Sequence, residues 1–167
     1  MAEADSADRG PPPAENARLH VRLRAGPLEP EALRTLVADP AAGATVVMVG
    51  STRSTTDGVP TAALDYEAHA GLAETRLQEI LAAAAADHGL VAAAVEHRLG
   101  RVPVGVASIC VAVSAAHRRP AFAAAEWIVD EVKRTVPIWK CDESPDGTRT
   151  WVHPADAPRP DAAEVGR

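Results

Sequence analysis

Between residues 19 and 152 the apolar positions change period several times, and each change marks an element. Leu19, Val21 and Leu23 alternate with His20 and Arg22, the period of a strand with one buried face. Leu28 to Val37 switches to helical spacing through Leu33 and Leu36, with Pro30 early in the first turn, where a missing N–H costs nothing. Ala44 to Val49 is an unbroken apolar run closed by Gly50, which predicts a buried central strand. Ser51 to Pro60, STRSTTDGVP, is polar and glycine-bearing and predicts a mobile loop, the one long connection. Ala62 to Ala68 alternates again, placing Leu64 and Tyr66 on one face and Asp65 and Glu67 on the other.

Leu72 to His88 is the longest helical pattern, with Leu77, Ile80 and Leu81 inward and Gly89 as its stop. Val91 to Arg98 and Ala107 to Val113 read as strands, the second of them buried, joined by a turn from Gly100 to Gly105. The stretch from Ser114 to Glu143 organises what remains. A basic turn, His117-Arg118-Arg119, leads into a helix opened by Pro120, with Phe122, Ala125, Val129, Val132 and Val136 as its apolar stripe. Pro137 ends that helix, and Ile138-Trp139-Lys140 continues as a strand. At about 100° per residue, Lys133 sits roughly 70° from the centre of the stripe, on the flank of the core. Trp127 falls nearly opposite the stripe, which predicts either a subunit contact or packing under a loop. A last strand at Thr150–Val152 follows the turn SPDGT.

This order describes an α+β domain, helices packed on a mostly antiparallel sheet. Residues 1–18 and 154–167 are rich in Pro, Ala and charge and are expected to be disordered tails, leaving 19–153 as a single domain. Alanine supplies much of the 47% hydrophobic content and aromatics only 3%, so the core layers are expected to be thin. The formal net charge of −6 argues against a nucleic-acid binder, which needs a basic face. No apolar stretch reaches the length of a membrane span, and no secretory signal opens the chain. Two cysteines, Cys110 and Cys141, supply neither a disulfide framework nor a metal motif, which favours the cytoplasm. Against that acidic background, the cations bracketing the third helix (His117, Arg118, Arg119, Lys133, Lys140) predict a site for a small anion.

The run SAAHRRPAFAAAEWIVDEVKRTVPIWKCDE resembles the catalytic (large) subunit family of molybdopterin synthase. Further pieces fall in the family's order: Gly50-Ser51-Thr52-Arg53, Leu64-Asp65-Tyr66-Glu67 and His97-Arg98-Leu99-Gly100. The resemblance implies an α/β-hammerhead-like fold and a sulfurtransferase role in molybdenum cofactor biosynthesis. It implies conversion of cyclic pyranopterin monophosphate to molybdopterin by insertion of two dithiolene sulfurs. The sulfurs arrive as thiocarboxylates on the C-terminal Gly-Gly of a small ubiquitin-like subunit. The implied assembly is a heterotetramer around a homodimer of the large subunit, with no metal or organic cofactor. Lys133 and Lys140 are implied as the catalytic pair, and Ser51, Thr52, Arg53, His117, Arg118, Lys133, Lys140, Cys141 and Asp142 as the substrate-binding set.

That chemistry fits those residue types. Arginine presents a planar fork to phosphate oxygens, and helix first-turn N–H groups add donors. A partly desolvated lysine beside other cations shuttles protons, and while protonated stabilises an oxyanion. Cys141-Asp142 stands where relatives carry a basic residue and Glu. In an extended segment Ile138, Lys140 and Asp142 share one face while Trp139 and Cys141 share the other, so Cys141 is expected to point away from the lysine. Two competing functions draw on the same residues: a Cys141 persulfide nucleophile, and a non-catalytic dock for a ubiquitin-like tail.

Overall fold

Two four-stranded sheets, joined through the β-strands at the centre of the first, carry three helices among the described residues. The computed structural model describes residues 17–152 except residue 57. Apart from residues 17 and 18, the expected tails lie outside the described residues. The order is β1 (Arg18–Arg24), α1 (Pro30–Val37), β2 (Ala44–Ser51), β3 (Thr55–Thr56), β4 (Val59–Pro60), β5 (Ala63–Ala68) and α2 (Ala70–His88). Then come β6 (Leu90–Arg98), β7 (Gly100–Pro103), β8 (Ala107–Ala115), α3 (Arg118–Thr135), β9 (Ile138–Glu143) and β10 (Arg149–Val152).

The first sheet runs β1-β6-β8-β2, and the second runs β10-β9-β5-β7. Every pairing is antiparallel except β1 with β6. Side-chain alternation on β6 and β8 feeds two cores at once. Val95, Val111 and Val113 face α2 and α3, where Leu77, Leu81 and Ile128 are fully buried. Ala94, Cys110 and Ala112 face α1 through Leu33 and Val37. Small residues thin both layers, as the composition predicts, and Ala121, Ala124 and Ala125 let α3 lie close on the sheet. Beside the α1 layer, buried Glu96 receives His20 Nε2 at 3.2 Å and Arg24 Nη1 at 3.1 Å, tying β1 to β6.

Several expectations change. β2 is an edge strand, not a central one, because the chain's apolar run is matched by only one neighbour, β8. The loop 51–60 contains a small hairpin, β3 with β4, rather than irregular chain alone. Residues 100–103, expected as a turn, form β7 against β5, so the β6–β8 connection itself extends the second sheet.

In α3 the buried positions are Ala121, Ala124, Ala125, Ile128, Val129 and Val132. Phe122, placed in the stripe by its spacing from Ala125, is 64% exposed. The alanines, not the aromatic, mark the inner face. Trp127 is not opposite the core: it packs against the α2–α3 layer with its ring 6.3 Å from that of His88. Both differences have one cause. The buried face shares Ala125, Val129 and Val132 with the expected stripe but is centred roughly 50° round the wheel, toward Ala121, Ala124 and Ile128.

Candidate active site

A cavity of about 930 Å³ opens between α3, from Phe122 to Lys133, and the strands β5 and β9 of the second sheet. Three elements bring one cation each to it. Arg53 follows β2, Lys133 sits in the last turn of α3, and Lys140 projects from β9. Each placement has a local reason. The hydrogen bonds of Thr52, N–H to the Val106 carbonyl and Oγ1 to the Val102 carbonyl, fix the chain just before Arg53. Pro137 cannot extend α3, so the chain turns after Val136 into β9. Thr135 caps that corner, donating to the Glu131 carbonyl and receiving Arg76 Nε from α2 at 3.1 Å.

Alternation on the second sheet decides which side chains enter. Leu64 and Tyr66 of β5 and Ile138 and Lys140 of β9 face the cavity. Lys140 pairs with Tyr66 in the ladder, and its Nζ lies 3.4 Å from Asp142 Oδ1. That oxygen is buried and has no hydrogen-bond partner by angle, so the contact is an ion pair with imperfect geometry. The opposite face carries Asp65, ion-paired with Arg149, and Glu143, held below the usual carboxylate range by the Arg101 guanidinium.

The cavity floor is a short polar chain. Tyr66 Oη donates to Ser108 Oγ at 3.3 Å, and Ser108 in turn donates to the Gly50 carbonyl. Burial holds the Tyr66 phenol pKa above its ordinary value, so it remains a donor at neutral pH. His97 packs edge-on against Tyr66, ring centroids 4.8 Å apart. Burial pushes its pKa down to about 4. Along the α3 wall run Phe122, Glu126 and Asp130, so the cavity has an acidic, aromatic flank as well as its cationic end.

Of the substrate-binding set taken from the sequence, Ser51, Arg53, Lys133 and Lys140 line this cavity. The others do not. Thr52 is buried beneath it and serves the backbone instead. Asp142 reaches it only through Lys140. Cys141 points to the other face of β9, as alternation requires, and is fully buried. A nucleophilic or substrate-contacting Cys141 therefore has no access, and the persulfide reading loses its residue. His117 and Arg118 are exposed at the start of α3, about 22 Å from Lys133 along the helix. His117 makes no capping hydrogen bond. One chain thus does not gather both cationic clusters.

Tyr66, Ser108, Ile109 and His97 complete the lining without having been chosen for it. For Tyr66 the signal was available, since alternation put it on the face of Leu64. For Ser108 and His97 it was not, because their role depends on the end of the sheet at which they emerge. Among the described residues no group of three or more His, Cys, Asp or Glu is gathered as a metal site requires, and no helix is long and apolar enough to cross a membrane.

Comparison with known proteins bears on the family and the fold. The family model described as MoaE protein matches residues 23–135. The molybdopterin synthase catalytic subunit of Emericella nidulans is 41% identical over 133 residues, covering 80% of this chain and 68% of that protein. Its counterpart in Oryza sativa subsp. indica is 48% identical over 111 residues, 66% of this chain and 58% of that one. Among solved structures, molybdopterin synthase from Staphylococcus aureus superposes with a TM-score of 0.74 at 31% identity, covering 78% of this chain and 95% of that one. A complex of subunits 1 and 2 of the molybdopterin-converting factor from Helicobacter pylori shares the fold, with a TM-score of 0.66 at 24% identity over 79% and 89% of the two chains.

Proposed function

The chain belongs to the MoaE protein family, and from that premise we propose that it is the catalytic subunit of a molybdopterin synthase. It converts cyclic pyranopterin monophosphate to molybdopterin, taking two dithiolene sulfurs from the thiocarboxylated C-terminus of a small ubiquitin-like subunit. The observation that carries the reading is the convergence of Arg53, Lys133 and Lys140, from three separate elements, on one cavity of about 930 Å³. That volume lies toward the upper end of small-molecule sites and leaves room for a pterin beside an incoming peptide tail.

The residues divide the work by their chemistry. Arg53 offers a bidentate fork to the substrate phosphate. Lys133 and Lys140 line the same cavity from either side of the helix–strand corner. One holds the thiocarboxylate oxygen; the other protonates the oxygen displaced from the substrate as sulfur takes its place. Asp142 keeps the Lys140 ammonium directed. His117 and Arg118 lie at the far end of α3 and serve the pocket of a second copy, which is what a homodimeric core of the heterotetramer would supply. Both cysteines are free and buried, in keeping with a cytoplasmic setting.

Single-turnover conversion of cyclic pyranopterin monophosphate, with thiocarboxylated small subunit supplied, tests the proposal. Dithiolene product is expected from the wild type, reduced about 10²- to 10³-fold in Lys133→Ala and in Lys140→Ala. Full turnover in both variants would remove the two lysines from the chemistry, and a wild type that binds the partner but yields no product would leave a docking protein.

A further inference from the structure

Most polar groups in the cavity are donors or are already committed. Arg53, Lys133 and Lys140 can only donate. The Tyr66 hydroxyl hydrogen is directed at Ser108 and that of Ser108 at the Gly50 carbonyl. Glu126 and Asp130 accept, but they stand exposed on the α3 wall. The Ser51, Tyr66 and Ser108 oxygens can also accept, but on groups that donate as well; His97 differs from all of these in offering a buried ring nitrogen that only accepts. It is 6% exposed, emerges at the end of β6 and lines the cavity. Its Nδ1 lies 2.9 Å from the Arg98 carbonyl oxygen. A carbonyl only accepts, so the proton of the neutral ring is on Nδ1, and Nε2 carries a lone pair. No group among the described residues donates to Nε2. The T-shaped contact with Tyr66 holds the ring in place.

A buried acceptor fixed by its own second nitrogen selects a ligand N–H. An analogue lacking that hydrogen leaves the site's lone pair unmet, which is how buried polar groups discriminate. The substrate of the function proposed above has an anionic end and a flat heterocycle whose edge carries N–H groups. The cationic end of the cavity matches the first. We propose that His97 Nε2 accepts a hydrogen bond from the heterocycle's N–H edge and so orients the pterin with its phosphate toward Arg53. This deepens the reading of the same site and rests on it. Burial reinforces the role, because a ring whose pKa is pushed down to about 4 stays an acceptor throughout the neutral range.

The test is ¹⁵N NMR of the full chain labelled at histidine, titrated with cyclic pyranopterin monophosphate and, separately, with inorganic phosphate. The His97 Nε2 resonance, of unprotonated type in the free protein, is expected to move upfield with the pterin and to stay in place with phosphate alone. In steady-state assays His97→Phe, which keeps a ring but removes the acceptor, is expected to raise KM about tenfold with kcat within about twofold of wild type. Saturable pterin binding with the Nε2 resonance unmoved would overturn the inference while leaving the proposed function standing. An equal response to phosphate would do the same. Failure of the wild-type chain to bind the pterin at all would overturn both.

Discussion

The two ends of α3 carry similar side chains in opposite electrostatic settings. At the C-terminal end, Lys133 and Arg134 sit in the last turn, where the partial negative charge of the helix favours cations. At the N-terminal end, His117, Arg118 and Arg119 crowd the positive pole, with no acidic residue in the first turn to offset them. Cations in that position oppose the helix dipole by a few tenths to about 1 kcal/mol each. Fold stability and catalysis therefore agree at one end and conflict at the other. A cluster that costs stability and lies outside its own chain's cavity points to an anion brought from elsewhere.

The most decisive way to break this comparison is to let two defective chains share a dimer. Lys133→Ala and Arg118→Ala, each strongly impaired alone, are dissociated together and reassociated at equal amounts. If each pocket takes Lys133 from one copy and Arg118 from the other, about a quarter of all pockets are restored. Turnover near the level of the separate variants would instead make Arg118 act with the Lys133 of its own chain, against the separation of the two along α3.

Acid stability sharpens the contrast next. His97 has a folded pKa of about 4, below its ordinary 6.5. The unfolded chain therefore binds the extra proton between those values, and stability falls as pH drops through that window. The difference amounts to roughly 3 kcal/mol when complete. Denaturant titrations at pH 7 and pH 4.5 should show this loss in the wild type, less of it in His97→Phe, and a wild-type-like loss in His117→Ala, whose ring is exposed. An unchanged pH slope in His97→Phe would place the acid sensitivity elsewhere.

Two glycines, Gly43 just before β2 and Gly50 near its end, give smaller effects. A Cβ at Gly50 would come within 2.6 Å of Ile109 Cγ2, the end of a side chain that also lines the cavity. A Cβ at Gly43 would collide with the Ala116 backbone carbonyl, which cannot swing aside. Gly43→Ala should cost more, about 2–3 kcal/mol by chemical denaturation, against about 1 kcal/mol for Gly50→Ala. Gly50→Ala alone should also weaken pterin binding, and equal binding by both variants would argue that Ile109 does not shape the site.

How much of this was legible in the sequence depended on whether a signal was local. The alternation Leu64-Asp65-Tyr66-Glu67 placed its side chains correctly, because strand period alone decides it. The same rule placed Cys141 opposite Lys140 and so foresaw its absence from the cavity. The wheel failed for Phe122 and Trp127, because in an alanine-rich helix bulk is a poor guide to the inner face. Strand position in the sheet was not local either. Nothing in Ala44–Val49 distinguishes an edge strand from a central one, since β2 hides its sides under α1 and α3 rather than between two neighbours. The cationic clusters at 117–118 and at 133 and 140 looked like one site because they bracket one helix. An 18-residue helix separates its ends by more than any ligand of this size can span.

The pairing of the first sheet also sets an order of assembly during synthesis. β1 hydrogen-bonds to residues 92–98, and β2 to residues 107–115. β1 lacks its partner until β6 has left the ribosome and β2 until β8 has, so over roughly the first ninety residues neither strand of the first sheet is paired for the helices to cover. Nascent chains stalled before residue 98 should accordingly be protease-sensitive throughout, and protection should arrive in one late step rather than growing with length.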